Sequence, residues 1–245
     1  MNILDIGALA QSEALGNGSL TARALMEATL ERIDAVNGAV NAIVALRPRA
    51  ELLAEADRAD ATPRVGWLHG IPIAIKDLSD AEGLPTAKGS PLFAGTIAQK
   101  DSVFVARIRA AGAIIIGKTN TPEFGLGSHT FNPVYGPTRN PYDHTRSAGG
   151  SSGGAAAALA TGMLSIADGS DMMGSLRNPA GWNNVYGFRP TFGLVPGDPE
   201  RDLFLHPLST NGPMGRCPDD MAALLDIQAG RDPRVPLSHD GPRFH

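Results

Sequence analysis

The sequence has 245 residues, 42% hydrophobic and 19% charged, which is enough apolar mass to bury a core and excludes a disordered or fibrous chain. The formal net charge is −4 and the basic residues form no run, so neither nucleic acid nor a membrane surface is an expected partner, and small-molecule chemistry is favoured. A single cysteine, Cys217, excludes an intrachain disulfide; the start carries no basic and apolar leader, which points to a cytoplasmic protein, and apolar stretches such as 111–116 and 155–160 fall far short of the roughly 20 residues of a membrane span.

In chain order, residues 1–60 read as a helical segment. A helix is expected over 21–36, capped by Thr21, with Leu25, Met26, Leu30, Ile33 and Val36 making one apolar stripe, and a second over 48–59. Between them, Ala42–Leu46 is short, apolar and β-branched, as a buried strand would be. From residue 61 to about 230 the texture becomes short apolar strands alternating with Gly/Pro loops and alanine-rich helices. The strands are Ile71–Ile75 and Ala113–Ile116, with a helix near 101–111 between them. Then come a long loop at 117–150, a helix of small residues at 152–162, a strand near 164–168, a helix starting near Ser175 and a last helix at 218–228. This alternation predicts a single α/β domain with strands buried on both faces. The polar, proline-bearing tail after 230 reads as a frayed terminus.

Two tempting motifs fail on physical grounds. Residues 112–119, GAIIIGKT, match the phosphate-loop pattern letter for letter, but three consecutive isoleucines want a strand rather than a loop, and Lys118 becomes a structural lysine at a strand end. The six histidines show no i, i+3 or i, i+4 pairs and no companion Cys or carboxylate cluster, so no metal and no cofactor is expected.

Three segments carry chemistry. In GIPIAIKDL (70–78) an apolar strand ends in Lys76; desolvation there would free a neutral amine as a base, although a strand-end lysine reaching solvent fits the same letters. In SAGGSSGGAAAALATG (147–162) glycines surround Ser151 and Ser152 before a helix of nearly pure alanine, which favours a packed site over a flexible linker. In DGSDMMGSLRNPA (168–180) Ser175 follows a glycine at a helix entrance, where it is either an N-cap or a hydroxyl exposed beside free backbone N–H groups.

Together these segments resemble the amidase signature family, most densely from Gly149 to Thr191 and in outline from about residue 20 to 230. The resemblance implies a mixed β-sheet core covered by helices on both faces and a Ser-Ser-Lys triad of Ser175 as nucleophile, Ser151 as relay and Lys76 as base. It also implies a cis bond between Gly150 and Ser151, an oxyanion held by the backbone N–H groups of Met172, Met173, Gly174 and Ser175, and supporting hydroxyls at Ser152 and Ser170. The implied reaction is hydrolysis of a small-molecule amide through an acyl-enzyme, by a chain that can form a homo-oligomer. A glutamyl-tRNA amidotransferase component, which makes ammonia for tRNA-linked transamidation, and a catalytically inactive paralogue are the alternatives. Two departures stand out. Met172 and Met173 replace glycines usual before the nucleophile, and the chain is short for the family, so the C-terminal part of the fold is expected to be missing.

Overall fold

The computed structural model describes residues 3–199 and 208–245. Its elements begin with helices α1 (Ala8–Gly16) and α2 (Ala22–Val40), strand β1 (Ile43–Val44) and helix α3 (Arg49–Ala61). Thr21 caps α2 by accepting the Ala24 N–H at 3.0 Å. The helix runs four residues beyond the expected Val36 because Val40 is buried against the core, and it stops at Asn41 in a left-handed conformation, φ 52°. Asn37 then turns the chain into β1 by accepting the N–H groups of Ala42 and Ile43, both at 2.9 Å. The expected strand at 42–46 shrinks to two residues because Ala45 adopts φ 49°.

Next come β2 (Pro72–Lys76), α4 (Val103–Ala110) and β3 (Ile114–Thr119). Strand β3 lies between β1 and β2, antiparallel to the first and parallel to the second. Its isoleucines alternate in pleat. Ile114 and Ile116 face a cluster with Met26, Leu30, Leu52 and Leu159, whereas Ile115 faces one with Ile73, Phe104, Ile108 and Leu224. A strand covered by helices on both faces needs apolar residues at every position, which is why the GAIIIGKT stretch is strand and not loop.

The segment expected as a loop at 117–150 holds the end of β3 and a small antiparallel pair, β4 (Arg139–Asn140) and β5 (Asp143–Ser147). Helix α5 (Gly153–Ala160) follows, then β6 (Ile166–Asp171), α6 (Arg177–Trp182), β7 (Tyr186–Gly187), β8 (Thr210–Gly215) and α7 (Pro218–Gln228). Strands β6, β8 and β7 form a second, antiparallel sheet with β8 in the middle. The strand expected near 164–168 therefore starts later and continues through Asp171. Every residue of it pairs with β8, so Asp168 to Asp171 are held extended by tertiary pairing that their own propensities disfavour. Helix α6 starts two residues past Ser175, at Arg177.

Helix α5 is buried along its whole length except its last residue, and its alanines let two layers approach closely. Gly154 sets the limit of that approach: a Cβ there would collide with the backbone of Asn120 and of Ala42. Gly154→Ala is expected to lose about 2 kcal/mol, lowering the melting temperature by about 4–8 °C in a chain of this size, as read by circular dichroism.

Candidate active site

Lys76 is the last residue of β2 and is 1% exposed. Its ammonium is taken out of water entirely, and three hydroxyls replace the solvent. Nζ donates to Ser151 Oγ at 2.8 Å, to Ser152 Oγ at 2.8 Å and to Ser170 Oγ at 3.0 Å. Burial pulls the Lys76 amine down to about 7, against the opposing pull of the Asp168 and Asp171 carboxylates. The amine is therefore poised between its charged and neutral forms near neutrality. The alternative of a lysine reaching solvent does not hold.

The serine pair arrives from the glycine-rich segment. Gly149 takes φ 78°, and a Cβ on Gly150 would meet the backbone of Ser128 and His129 at 2.9–3.1 Å, so the turn that delivers Ser151 has no room for side chains. The Gly150–Ser151 bond is cis. Ser152, at 0% exposure, ties the site together: its backbone N–H donates to the Ser175 carbonyl at 3.2 Å, and its hydroxyl donates to the Ser170 carbonyl at 3.4 Å.

Ser170 and Asp168 stand two residues apart on β6 and so share one face. That face grips Lys76 twice, because Ser170 accepts from Nζ and Asp168 Oδ1 accepts the Lys76 backbone N–H at 2.9 Å. The second contact closes the seam where β2 lies beside β6 without a ladder between them.

Ser175 is half-buried in the turn before α6. Its backbone is fixed to Ser152, and among the described residues its hydroxyl has no hydrogen-bond partner. The turn is organised by Asp171, whose carboxylate accepts the N–H groups of Gly174 at 2.7 Å, Leu176 at 3.1 Å and Arg177 at 3.4 Å. The Arg177 guanidinium adds two bonds, at 2.9 and 3.1 Å. Burial works to raise the Asp171 carboxyl, but the Arg177 side chain and the two backbone donors from Gly174 and Leu176 outweigh it and bring it down to about 2. This bears on the four backbone donors expected for an oxyanion. The Gly174 N–H is already spent on Asp171, whereas those of Met172, Met173 and Ser175 have no acceptor among the described residues.

Beside Ser170 and Met172 opens a cavity of about 570 Å³ with Leu78, Phe124, Phe192 and Val195 in its walls. Met172 is 43% exposed and Met173 84%. Among the described residues no group of three His, Cys, Asp or Glu side chains lies together as a metal site would need, and no helix is long and apolar enough to cross a membrane.

Sequence reasoning missed Asp168, Asp171 and Arg177. Reading 168–171 as strand would have put Asp168 and Ser170 on the same side, but the four residues look like a turn. Lys118, expected as a structural strand-end lysine, is on β3 and wholly buried, with Nζ donating to the Ser79 carbonyl and to Thr86 Oγ1 at 3.4 Å.

Residues 24–244 match the family model described as amidase. An acylamidase from Rhodococcus erythropolis is 41% identical over 97% of this chain and 50% of its own length. A glutamyl-tRNA(Gln) amidotransferase component from Streptomyces avermitilis is 39% identical over 99% of this chain and 49% of its own. The crystal structure of a bacterial aryl acylamidase of the amidase signature family superposes with a TM-score of 0.90 at 31% identity, covering 98% of this chain and 50% of that one. The chain thus spans about half the length of the curated relatives it matches. With the mixed α/β core and helices on both faces as expected, the chain belongs to the amidase signature family.

Proposed function

We propose that this chain carries an amide-hydrolase site in which Ser175 is the nucleophile, Ser151 the proton relay and Lys76 the base. The observation that carries the reading is the Lys76 amine, buried and lowered to about 7, at 2.8 Å from Ser151 Oγ. A neutral amine in that position accepts the Ser151 proton while Ser151 takes the proton of Ser175. Ser175 Oγ bonds to the amide carbon, and the carbonyl electron pair moves onto oxygen. The N–H groups of Met172, Met173 and Ser175 receive that oxyanion, while Gly174 keeps the turn in shape through Asp171. The C–N bond then breaks, the proton returns from Lys76 through Ser151 to the leaving amine, and a water repeats the cycle on the acyl-enzyme. Ser152 and Ser170 hold Lys76 toward Ser151 throughout.

The substrate of this reading is a small-molecule amide, and nucleic acid and membrane have no part in it. The single cysteine favours a cytoplasmic setting. The likeness to an amidotransferase component supports a second reading, in which the same serine frees ammonia for partner proteins. A catalytically inactive chain that acts by binding alone is the reading that an adduct at Ser175 would reject.

A fluorophosphonate is expected to form an adduct at Ser175 in the folded protein, detected by mass spectrometry. Ser175→Ala should abolish both the adduct and, on the order of 10³-fold or more, the turnover of arylamides. A Ser175→Ala protein as active as its parent would overturn the assignment. Because the base works only when neutral, kcat/KM should fall as pH drops through about 7, and Lys76→Met should remove that limb together with the activity.

A further inference from the structure

We propose that Asp168 is the counter-charge and positioning group of Lys76: its carboxylate fixes the end of β2 through the Lys76 N–H and offsets the positive charge Lys76 gains on taking the serine proton. The proposal rests on the serine–lysine reading above and adds a group outside the triad.

Three observations on geometry support it. Asp168 is 1% exposed, and its Oδ1 is bonded to the backbone of the residue that would act as base, at 2.9 Å. Its Oδ2 is buried with no hydrogen-bond partner among the described residues, so no neighbouring donor neutralises that half of the carboxylate. And β6 presents Asp168 and Ser170 on one face, so the strand that orients the amine also carries the charge.

The surrounding charges fit the role. From β2, Asp77 follows Lys76 and is wholly buried, holding the Ala87 and Gly89 N–H groups at 3.0 Å each. From β3 comes Lys118, whose position beside Ile75 sends it to the opposite face of the sheet from Lys76. Asp77 is the strongest of the charges opposing the burial that lowers Lys118, with Asp168, Asp80 and Asp101 behind it. At the end of β6, Asp171 is occupied by Arg177 and reached by Arg189 at 3.5 Å. Arg177 and Arg189 are thus taken by Asp171, while Lys118 is opposed chiefly by Asp77 and also acts on Asp168, more strongly than Lys76 does. Asp168 is left as the carboxylate with the largest hold on Lys76. Burial raises the Asp168 carboxyl to about 6, against the bond from the Lys76 N–H and the charges of Lys118 and Lys76.

The sign of the effect follows. Without the carboxylate, the buried ammonium loses its stabilising neighbour and Lys76 becomes a weaker base that stays neutral to lower pH. The probe is a fluorophosphonate: Ser175 Oγ bonds to phosphorus, fluoride leaves, and the serine proton passes to Lys76, so the rate of labelling reports the base whatever the natural amide. Asp168→Asn keeps an acceptor for the Lys76 N–H and removes the charge. Its labelling rate at pH 8 should fall about tenfold, and its acid limb should move down by about one pH unit. Asp168→Ser, smaller and also uncharged, should show the same displacement if the asparagine variant melts too early. An unmoved limb in the folded variants overturns the role of Asp168 alone. A folded parent left unlabelled at Ser175 overturns the serine–lysine reading and this proposal with it.

Discussion

The burial of the Lys76 amine among three serine hydroxyls is the constraint from which most of this architecture follows. An ammonium removed from water is costly unless hydrogen bonds replace its hydration. Here the replacements come from Ser151 and Ser152 at the start of α5 and from Ser170 on β6, two separate parts of the chain. Bringing them within 3.0 Å of one nitrogen demands that β2, α5 and β6 meet without intervening side chains. The glycines before Ser151 and the alanines after Ser152 satisfy that demand, and the continuous apolar runs of β2 and β3 bury the strand end where the lysine sits.

Much of this is readable along the chain. The run Ile71–Ile75 followed by a lysine is strand physics with a charge at its end, and the serines between glycine pairs point to a crowded site. Ser175 is different: its segment alone fits an N-cap equally well, and the resemblance to a family is what singles it out. What stayed hidden depends on pairing between distant segments. Asp168, Gly169 and Ser170 are poor strand formers that become strand because β8 lies beside them, and β8 itself, with an internal glycine and Pro213, gives little local signal. The contact from Lys76 to Asp168 joins residues 92 positions apart, and no periodicity announces it.

The two buried lysines show how a parallel pair of strands separates functions. Lys76 aligns with Thr119 and Lys118 with Ile75, so neighbouring strands send their amines to opposite faces of one sheet. On one face the amine meets hydroxyls that can exchange protons with it. On the other it meets the Ser79 carbonyl and Thr86, with Asp77 as the chief opposing charge, an arrangement suited to holding the loop after β2 in place. The same side chain meets three hydroxyls on one face and a carbonyl with a threonine on the other.

Asp171 separates the shape of the site from its chemistry. Its carboxylate, brought down to about 2, keeps the turn around Ser175 tied at pH values far below the point where Lys76, at about 7, has filled with protons. Protonation of the amine and release of the turn are thus set by separate groups. Asp168, raised to about 6, takes its proton within that span, so the end of β2 answers to acid before the turn around Ser175 does.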